Sequence, residues 1–209
     1  MDNCDDRPCD PHLMRGAGII AILGAIALIA GNVVGSILVP GHDWVADTVS
    51  DLAAGRYEII QDVTLYCYAG SLLALAIAAA HAHPGKRAWN FVILGLALLA
   101  LCVTIIAVRN EYGDGDNEGV VIHIYVVYAM GVLFTAVFAL AGLVGQHLGL
   151  TRVSWVCAAL WGIGAPVFFL LPTAYDGAFE RFLGVVTTVW VCCFGWQLIR
   201  SPGRVQTSR

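Results

Sequence analysis

Long apolar stretches separated by short polar ones run along this 209-residue chain. A helix that crosses a membrane needs about 20 apolar residues, because the hydrocarbon core is about 30 Å thick and a helix rises about 1.5 Å per residue. Six segments meet that requirement, and they are 16–39, 59–80, 88–108, 119–145, 153–172 and 178–199. The pattern therefore predicts an all-α, polytopic bundle of six transmembrane helices.

The segments outside these spans are too short or too apolar to form a separate soluble domain. We therefore expect an N-terminal tail at 1–15, one transmembrane domain at 16–200 and a C-terminal tail at 201–209. The first apolar run exceeds the about 7–15 residues of a signal peptide, and Pro40-Gly41 follows it instead of a small-residue cleavage site. It is predicted to be a retained helix.

The longest connection, at 40–58, has a helical pattern of its own. Asp43, Asp47 and Asp51 recur every four residues and share one helical face, whereas Trp44 lies away from that face. The spacing predicts a short amphipathic helix at about 42–54, lying at the outer interface with Trp44 as its anchor. A lid over a cavity in the bundle and a plain linker both fit this pattern.

The composition agrees with a lipid-embedded chain and excludes other classes. Hydrophobic residues make up 59% and charged residues 12%, about half of the roughly 25% found in soluble domains. Disordered chains are far more polar, and nucleic-acid binders carry a basic excess, whereas this chain has a net charge of −4. We expect membrane lipids and no nucleic acid as partners; the pattern defines no oligomeric state.

The basic residues predict the orientation. Eight of the 11 Lys and Arg residues lie in the two tails and in the 81–87 and 146–152 loops, and three lie on the other side. Cytoplasmic loops are enriched in Lys and Arg. Both termini are therefore predicted to be cytoplasmic in a plasma (inner) membrane. Eleven of the 15 acids lie on the outer side, so the small net charge averages two oppositely charged faces.

Ionisable side chains gather where the spans reach the predicted outer side. Because charges at membrane depth are costly, they usually face the interior of a bundle. We expect an acidic, outward-facing pocket that binds a lipid, another small amphiphilic ligand or a cation. Its predicted residues are Asp51, Glu58, Asp62, Tyr66, Arg109, His123, Glu180 and Arg181. In the alternative, the two arginines of this set only neutralise its acids as structural ion pairs.

No cofactor is identified by the sequence, and a divalent cation is the candidate that its donor residues suit. Only His42 and His123 are outer histidines, so a three-histidine zinc site cannot be built. A mixed site of imidazole and carboxylate ligands remains open. Its predicted ligands are His123, Asp51, Asp62 and Glu180.

The acidic loop at 114–119 resembles the first half of an EF-hand calcium loop. Asp114, Asp116 and Glu118 would supply oxygen ligands, which suit a hard cation. The twelfth position is Tyr125 where an EF-hand has Glu, so the match is partial. A solvated acidic turn is the other interpretation.

Complete catalytic motifs of nucleophile-elbow hydrolases, zinc proteases and P-loop proteins do not occur in the chain. Ser50-Asp51 and His123 contain the residue types of a nucleophile and its base. Their separation in the sequence does not show that they meet.

Several short motifs resemble one known family. They are His42-Asp43-Trp44, Val49-Ser50-Asp51-Leu52-Ala53-Ala54-Gly55 followed by Tyr57-Glu58, His123 near the start of the fourth span, and Glu180-Arg181 with Trp190 in the sixth. From about residue 15 to 200 the chain thus resembles the bacterial and archaeal six-span membrane family called domain of unknown function 998. The resemblance implies a six-helix bundle, and it assigns no activity and no catalytic residue.

Two functional hypotheses follow. The first is a membrane protein that binds a lipid, amphiphile or cation in the acidic pocket, for sensing or transport. The second is a membrane-embedded, metal-assisted hydrolase or lyase that acts on a lipidic substrate. The metal-enzyme hypothesis requires His123 and at least two carboxylates to converge around an open position.

Overall fold

A computed structural model describes residues 10–53, 56–108 and 122–201. Within these ranges the chain is almost entirely helical and contains no strand. Short 3-10 turns at Gly145–Leu148 and Thr173–Tyr175 precede the last two helices. The helices are α1 (Pro11–Leu38), α2 (Val49–Leu52), α3 (Glu58–His81), α4 (Arg87–Val108), α5 (Ile122–Val144), α6 (Thr151–Phe168) and α7 (Asp176–Arg200).

Five of these helices are long and apolar enough to cross a membrane: α1, α3, α4, α5 with the turn that follows it, and α7 with the turn that precedes it. The predicted all-α class is thereby confirmed, and the chain has the helices of a membrane protein. The sixth candidate, α6, has 18 residues and begins with the polar pair Thr151-Arg152. Its crossing, and with it the six-span topology, stays a prediction.

The long helices form a closed ring. Each of α1, α3, α4, α5 and α6 packs against the next long helix along the chain, and α7 returns to pack against α1. A smaller contact between α3 and α7 crosses the ring. Glycines permit the closest approaches, because a Cβ at Gly31 of α1 would overlap the side chain of Thr64 in α3.

The half of the ring that contains both described chain ends is closed by a packed aromatic core. Trp190 lies between the rings of Phe138 and Phe194, with centroids 5.1 and 5.4 Å away. Its indole N–H donates to Ser154 Oγ over 2.8 Å. The indole N–H of Trp89, also fully buried, donates to the backbone of α3. We call this the closed half.

The first helix begins earlier than the apolar pattern predicts. Asp10 caps it by accepting a hydrogen bond from the backbone N–H of His12 over 2.8 Å, and Pro11 occupies the first helical position. Proline is favoured there because that position needs no N–H partner. The helix therefore extends into the segment predicted as a tail.

The predicted amphipathic helix at 42–54 is wrong in extent, since within the described residues 42–53 only Val49–Leu52 is helical. Asp43 Oδ1 instead accepts the N–H of Val45 over 2.8 Å, which closes a local turn. In a helix, the carbonyl groups of residues 44–47 would accept hydrogen bonds from N–H groups of the same helix. Here they accept hydrogen bonds from residues of α7. We call residues 39–53 the strap, and the end of the ring that they cover the strap end.

Candidate functional site

The strap docks on the N-terminus of α7 through the backbone. The first N–H groups of a helix lack partners within it, and α7 has no side-chain cap. The strap supplies those partners, because Gly177 N–H donates to Ala46 O over 3.2 Å and Ala178 N–H donates to Val45 O over 2.9 Å. A Cβ at position 177 would overlap the carbonyl group of Asp47. Only glycine permits this close approach.

Arg181, one turn further along α7, is the centre of the docking. Its side chain is 8% exposed, and its guanidinium stacks over the ring of Trp44, 4.4 Å from the centroid. A guanidinium has five N–H donors, and here they meet five uncharged acceptors. These are Asn32 Oδ1 (3.0 Å), Trp44 O (3.0 Å), Asp47 O (2.8 Å), Ser36 Oγ (3.4 Å) and His42 Nε2 (2.8 Å).

His42 must be neutral to take part. Arginine cannot accept a hydrogen bond, so His42 Nε2 accepts and the ring proton is on Nδ1, which lies 3.5 Å from Asp47 Oδ2. Burial lowers the pKa of His42, the Arg181 guanidinium lowers it further, and the carboxylates of Asp47, Asp51 and Asp43 oppose this shift. Protonation would place two cations in contact.

Two carboxylates fix the short helix α2. The N–H of Thr48 donates to Asp51 Oδ2 over 2.6 Å, while the N–H of Asp51 donates to Thr48 Oγ1 over 3.2 Å, which is a capping box. Glu180 of α7 accepts the N–H of Val49 over 2.7 Å. The first turn of α2 is thus held both internally and by α7.

This anchoring brings Ser50 against α5. Ser50 Oγ lies 3.2 Å from Nε2 of His123, which is 7% exposed. Ser50 and His123, which have the residue types of a nucleophile and its base, are therefore in hydrogen-bond contact.

Beneath the strap lies a cavity of about 1100 Å³. Small-molecule pockets range over about 300–1,000 Å³, so this one suits a large ligand. From His123 to Ala139 its lining follows α5 over 17 residues, about 24 Å at a rise of about 1.5 Å per residue. Most of the lining is aliphatic and aromatic. The polar residues under the strap, which we call the polar end, are Asn32, Thr48, Ser50, His123, Asp176, Glu180 and Arg181.

The predicted pocket residues separate into two groups. His123, Glu180 and Arg181 line the cavity, and Asp51 lines a small adjoining cleft. The stripe of Glu58, Asp62 and Tyr66 on α3 lines neither. Arg109 lies outside the described residues.

Arg181 does not form the predicted structural ion pair through its hydrogen bonds, because its five N–H donors all bond to uncharged atoms.

The predicted metal sites fall partly within the described residues. In the part of the chain that the structure describes, no three His, Cys, Asp or Glu side chains form a group that could hold a metal ion. The mixed site of His123, Asp51, Asp62 and Glu180 stays a prediction. The calcium-loop residues Asp114, Asp116 and Glu118 lie outside the described residues.

Sequence reasoning missed several residues of this site. Asn32, Ser36 and Tyr68 are not among the predicted pocket residues. A signal existed for Asn32, because a buried arginine on one apolar helix requires buried acceptors on its neighbours. Tyr68, 3% exposed, lines the deeper part of the cavity together with Thr187.

One known protein family matches most of the chain. The profile of the family described as "Protein of unknown function (DUF998)" matches residues 22–197. The chain belongs to this family. The DUF998 match begins within α1 and ends within α7, so it includes the strap, the cavity and Arg181. No curated protein and no solved structure matches the chain.

Proposed function

We propose that this DUF998 protein binds an amphiphile, with the apolar chain in the cavity and the headgroup at the polar end. The observation that carries the proposal is the cavity of about 1100 Å³, whose lining along α5 is mostly apolar and whose charged residues lie beneath the strap. A molecule with one polar end and a long apolar body matches that distribution, because buried polar groups need polar partners.

The headgroup class follows from charge. Asp176, Glu180 and Arg181 line the polar end, but all five N–H donors of Arg181 are bonded to protein atoms, so its guanidinium has none left for a headgroup. An anionic headgroup would meet two carboxylates, which is unfavourable at short range in a medium of low dielectric constant. The ligand is therefore a neutral, hydroxyl-bearing or a cationic amphiphile.

The membrane arrangement belongs to the same proposal. Five helices are long and apolar enough to cross a membrane, and α6 packs between two of them. With α6 as a sixth crossing, both termini lie in the cytoplasm and the strap faces outward, in line with the Lys and Arg distribution. Reporter fusions test this: an outward C-terminus would overturn the orientation.

A pair of glycine substitutions tests the binding. Gly184 lines the cavity and has no atom within 4 Å of the position of a Cβ, so the ring of Gly184→Phe has open space beside the cavity. Gly70 of α3 also has no atom within 4 Å, but it lies off the cavity lining. Gly70→Phe is therefore the matched control, with the same change in helix propensity.

We expect wild type and Gly70→Phe to bind a fluorescent monoacylglycerol with equal affinity, and Gly184→Phe to bind it at least tenfold more weakly. An anionic lipid of equal chain length should bind wild type at least fivefold more weakly than the monoacylglycerol. Glu180→Gln keeps an acceptor for Val49 and should reduce that preference. Equal binding by all variants would contradict the proposal.

The metal-assisted form of the hydrolase or lyase hypothesis has no cluster of donor side chains to support it in the described ranges. The contact between Ser50 and His123 instead favours a reaction in which a serine is the nucleophile.

A further inference from the structure

Ser50 and His123 have the geometry of a nucleophile and its general base. The distance of 3.2 Å between Oγ and Nε2 is within the about 2.6–3.2 Å over which a base takes a proton. Both side chains line the polar end of the cavity, so a ligand bound there lies against them.

The surroundings hold this pair in place. The residues on either side of Ser50 are fixed, since Val49 donates to Glu180 and Asp51 is bonded to Thr48. A positioned hydroxyl reacts faster because the entropy of bringing it to the reacting atom has already been lost on folding. A purely structural contact between strap and helix would not need to face a cavity.

We propose that Ser50 and His123 hydrolyse a carboxylic ester of a long-chain acyl group and a neutral or cationic alcohol. The inference rests on the proposed function, because the same cavity would hold the acyl chain and the same carboxylates would select the alcohol. The site that binds the amphiphile would then also cleave it.

The reaction balances with water as the only co-reactant. Ser50 Oγ bonds to the ester carbonyl carbon while its proton passes to His123 Nε2. The bond from carbon to the alcohol oxygen then breaks, and His123 returns the proton to the departing alcohol. Water next attacks the acyl group on Ser50, again losing a proton to His123. The ester bond to Ser50 breaks, the proton restores the serine hydroxyl, and a fatty acid leaves.

The negative oxygen formed on the ester carbonyl needs a hydrogen-bond donor. Among the residues that line the cavity, Asn32 is suited to this. The Oδ1 atom of Asn32 accepts a hydrogen bond from Arg181 Nε, and this contact fixes the orientation of the amide group. The amide nitrogen of Asn32, which lines the cavity, can then donate to the ester oxygen. Arg181 would then serve the reaction as a positioning residue.

The test uses the purified full chain in lipid nanodiscs and a fluorophosphonate with a long alkyl chain, which bonds to activated serines. We expect peptide mass spectrometry to find the label on Ser50 and Ser50→Ala to remove it. His123→Gln should slow labelling about 100-fold, since a general base contributes about 10²–10⁴. Ser201→Ala, at the far end of α7, is the control and should label as wild type.

The second readout is release of fatty acid from a monoacylglycerol, which Ser50→Ala should abolish. An unlabelled wild type, a label on another serine, or fatty-acid release by Ser50→Ala would each overturn the inference. Monoacylglycerol binding is measured on the same samples. If wild type binds monoacylglycerol but is not labelled, only the reaction is refuted. If wild type does not bind monoacylglycerol, the proposed function is refuted as well.

Discussion

In the closed half, Trp89 and Trp190 each donate one indole N–H to one acceptor, and aromatic rings fill the remaining space. At the strap end, Arg181 donates five hydrogen bonds, and a cavity of about 1100 Å³ begins there and runs along α5 as far as Ala139. In both halves these indole and guanidinium donors are satisfied. The strap end also leaves space for another molecule beside those groups.

This difference indicates a division of roles. A close-packed half stabilises the ring through burial and dispersion contacts. A half that leaves a cavity gives up part of that stability. The strap end recovers some of it through hydrogen bonds between segments far apart in the sequence. Substitutions in the two halves should therefore have different consequences.

The largest effect is expected in the closed half. Trp190→Ala removes a fully buried indole and leaves Ser154 without its donor, so we expect a loss of about 3–5 kcal/mol in the free energy of unfolding. Hydrogen exchange should rise throughout the ring when unfolding is measured in detergent. An increase confined to the strap would contradict the assignment of stability to the closed half.

A smaller and local effect is expected where the strap meets α7. Gly177→Ala places a methyl group against the carbonyl of Asp47, so the strap must shift, at a cost of about 1–3 kcal/mol. Faster hydrogen exchange at residues 45–53, with little change in the closed half, is the expected result. Gly184→Ala on the same helix has open space and serves as the control. Equal exchange in both variants would show that the strap does not need this contact.

The smallest effect is expected from pH. Because the pKa of His42 is lowered in the docked strap, the undocked histidine takes up a proton more readily. Docking should be complete above the ordinary pKa of about 6.5 and should weaken as the pH falls below it. Proteolysis of the strap between pH 7.5 and 5 measures this. His42→Gln keeps an acceptor for Arg181 and should remove the dependence on His42; an unchanged pH profile would contradict it.

The helices were predictable from the sequence because hydropathy acts over whole segments. The predicted spans and the observed helices mostly agree at their ends, apart from the capped start of α1 at Pro11 and the end of α6, which comes at Phe168 instead of residue 172. The strap could not be predicted in this way. Its pattern of Asp43, Asp47 and Asp51 favours a helix, but its carbonyls bind α7, more than a hundred residues later.

The candidate site was predictable only in part. His123, Glu180 and Arg181 were identified because ionisable groups are rare in apolar helices. The rotation of α3 about its axis decides whether its polar stripe faces the cavity, and no local sequence pattern encodes that rotation. Asp62 was therefore predicted to be a pocket residue, although it does not line the cavity. The contact of Ser50 with His123 likewise depends on how the strap docks.

Photo-crosslinking tests most directly whether the strap end holds an amphiphile. The probe is a monoacylglycerol with a diazirine midway along its chain, added to the full protein in nanodiscs. We predict crosslinks to cavity residues such as Val127 and Met130 of α5, suppressed by excess unlabelled monoacylglycerol and lost in Gly184→Phe. Crosslinks confined to lipid-facing residues such as Leu73 and Ile77, unaffected by competitor, would contradict the account.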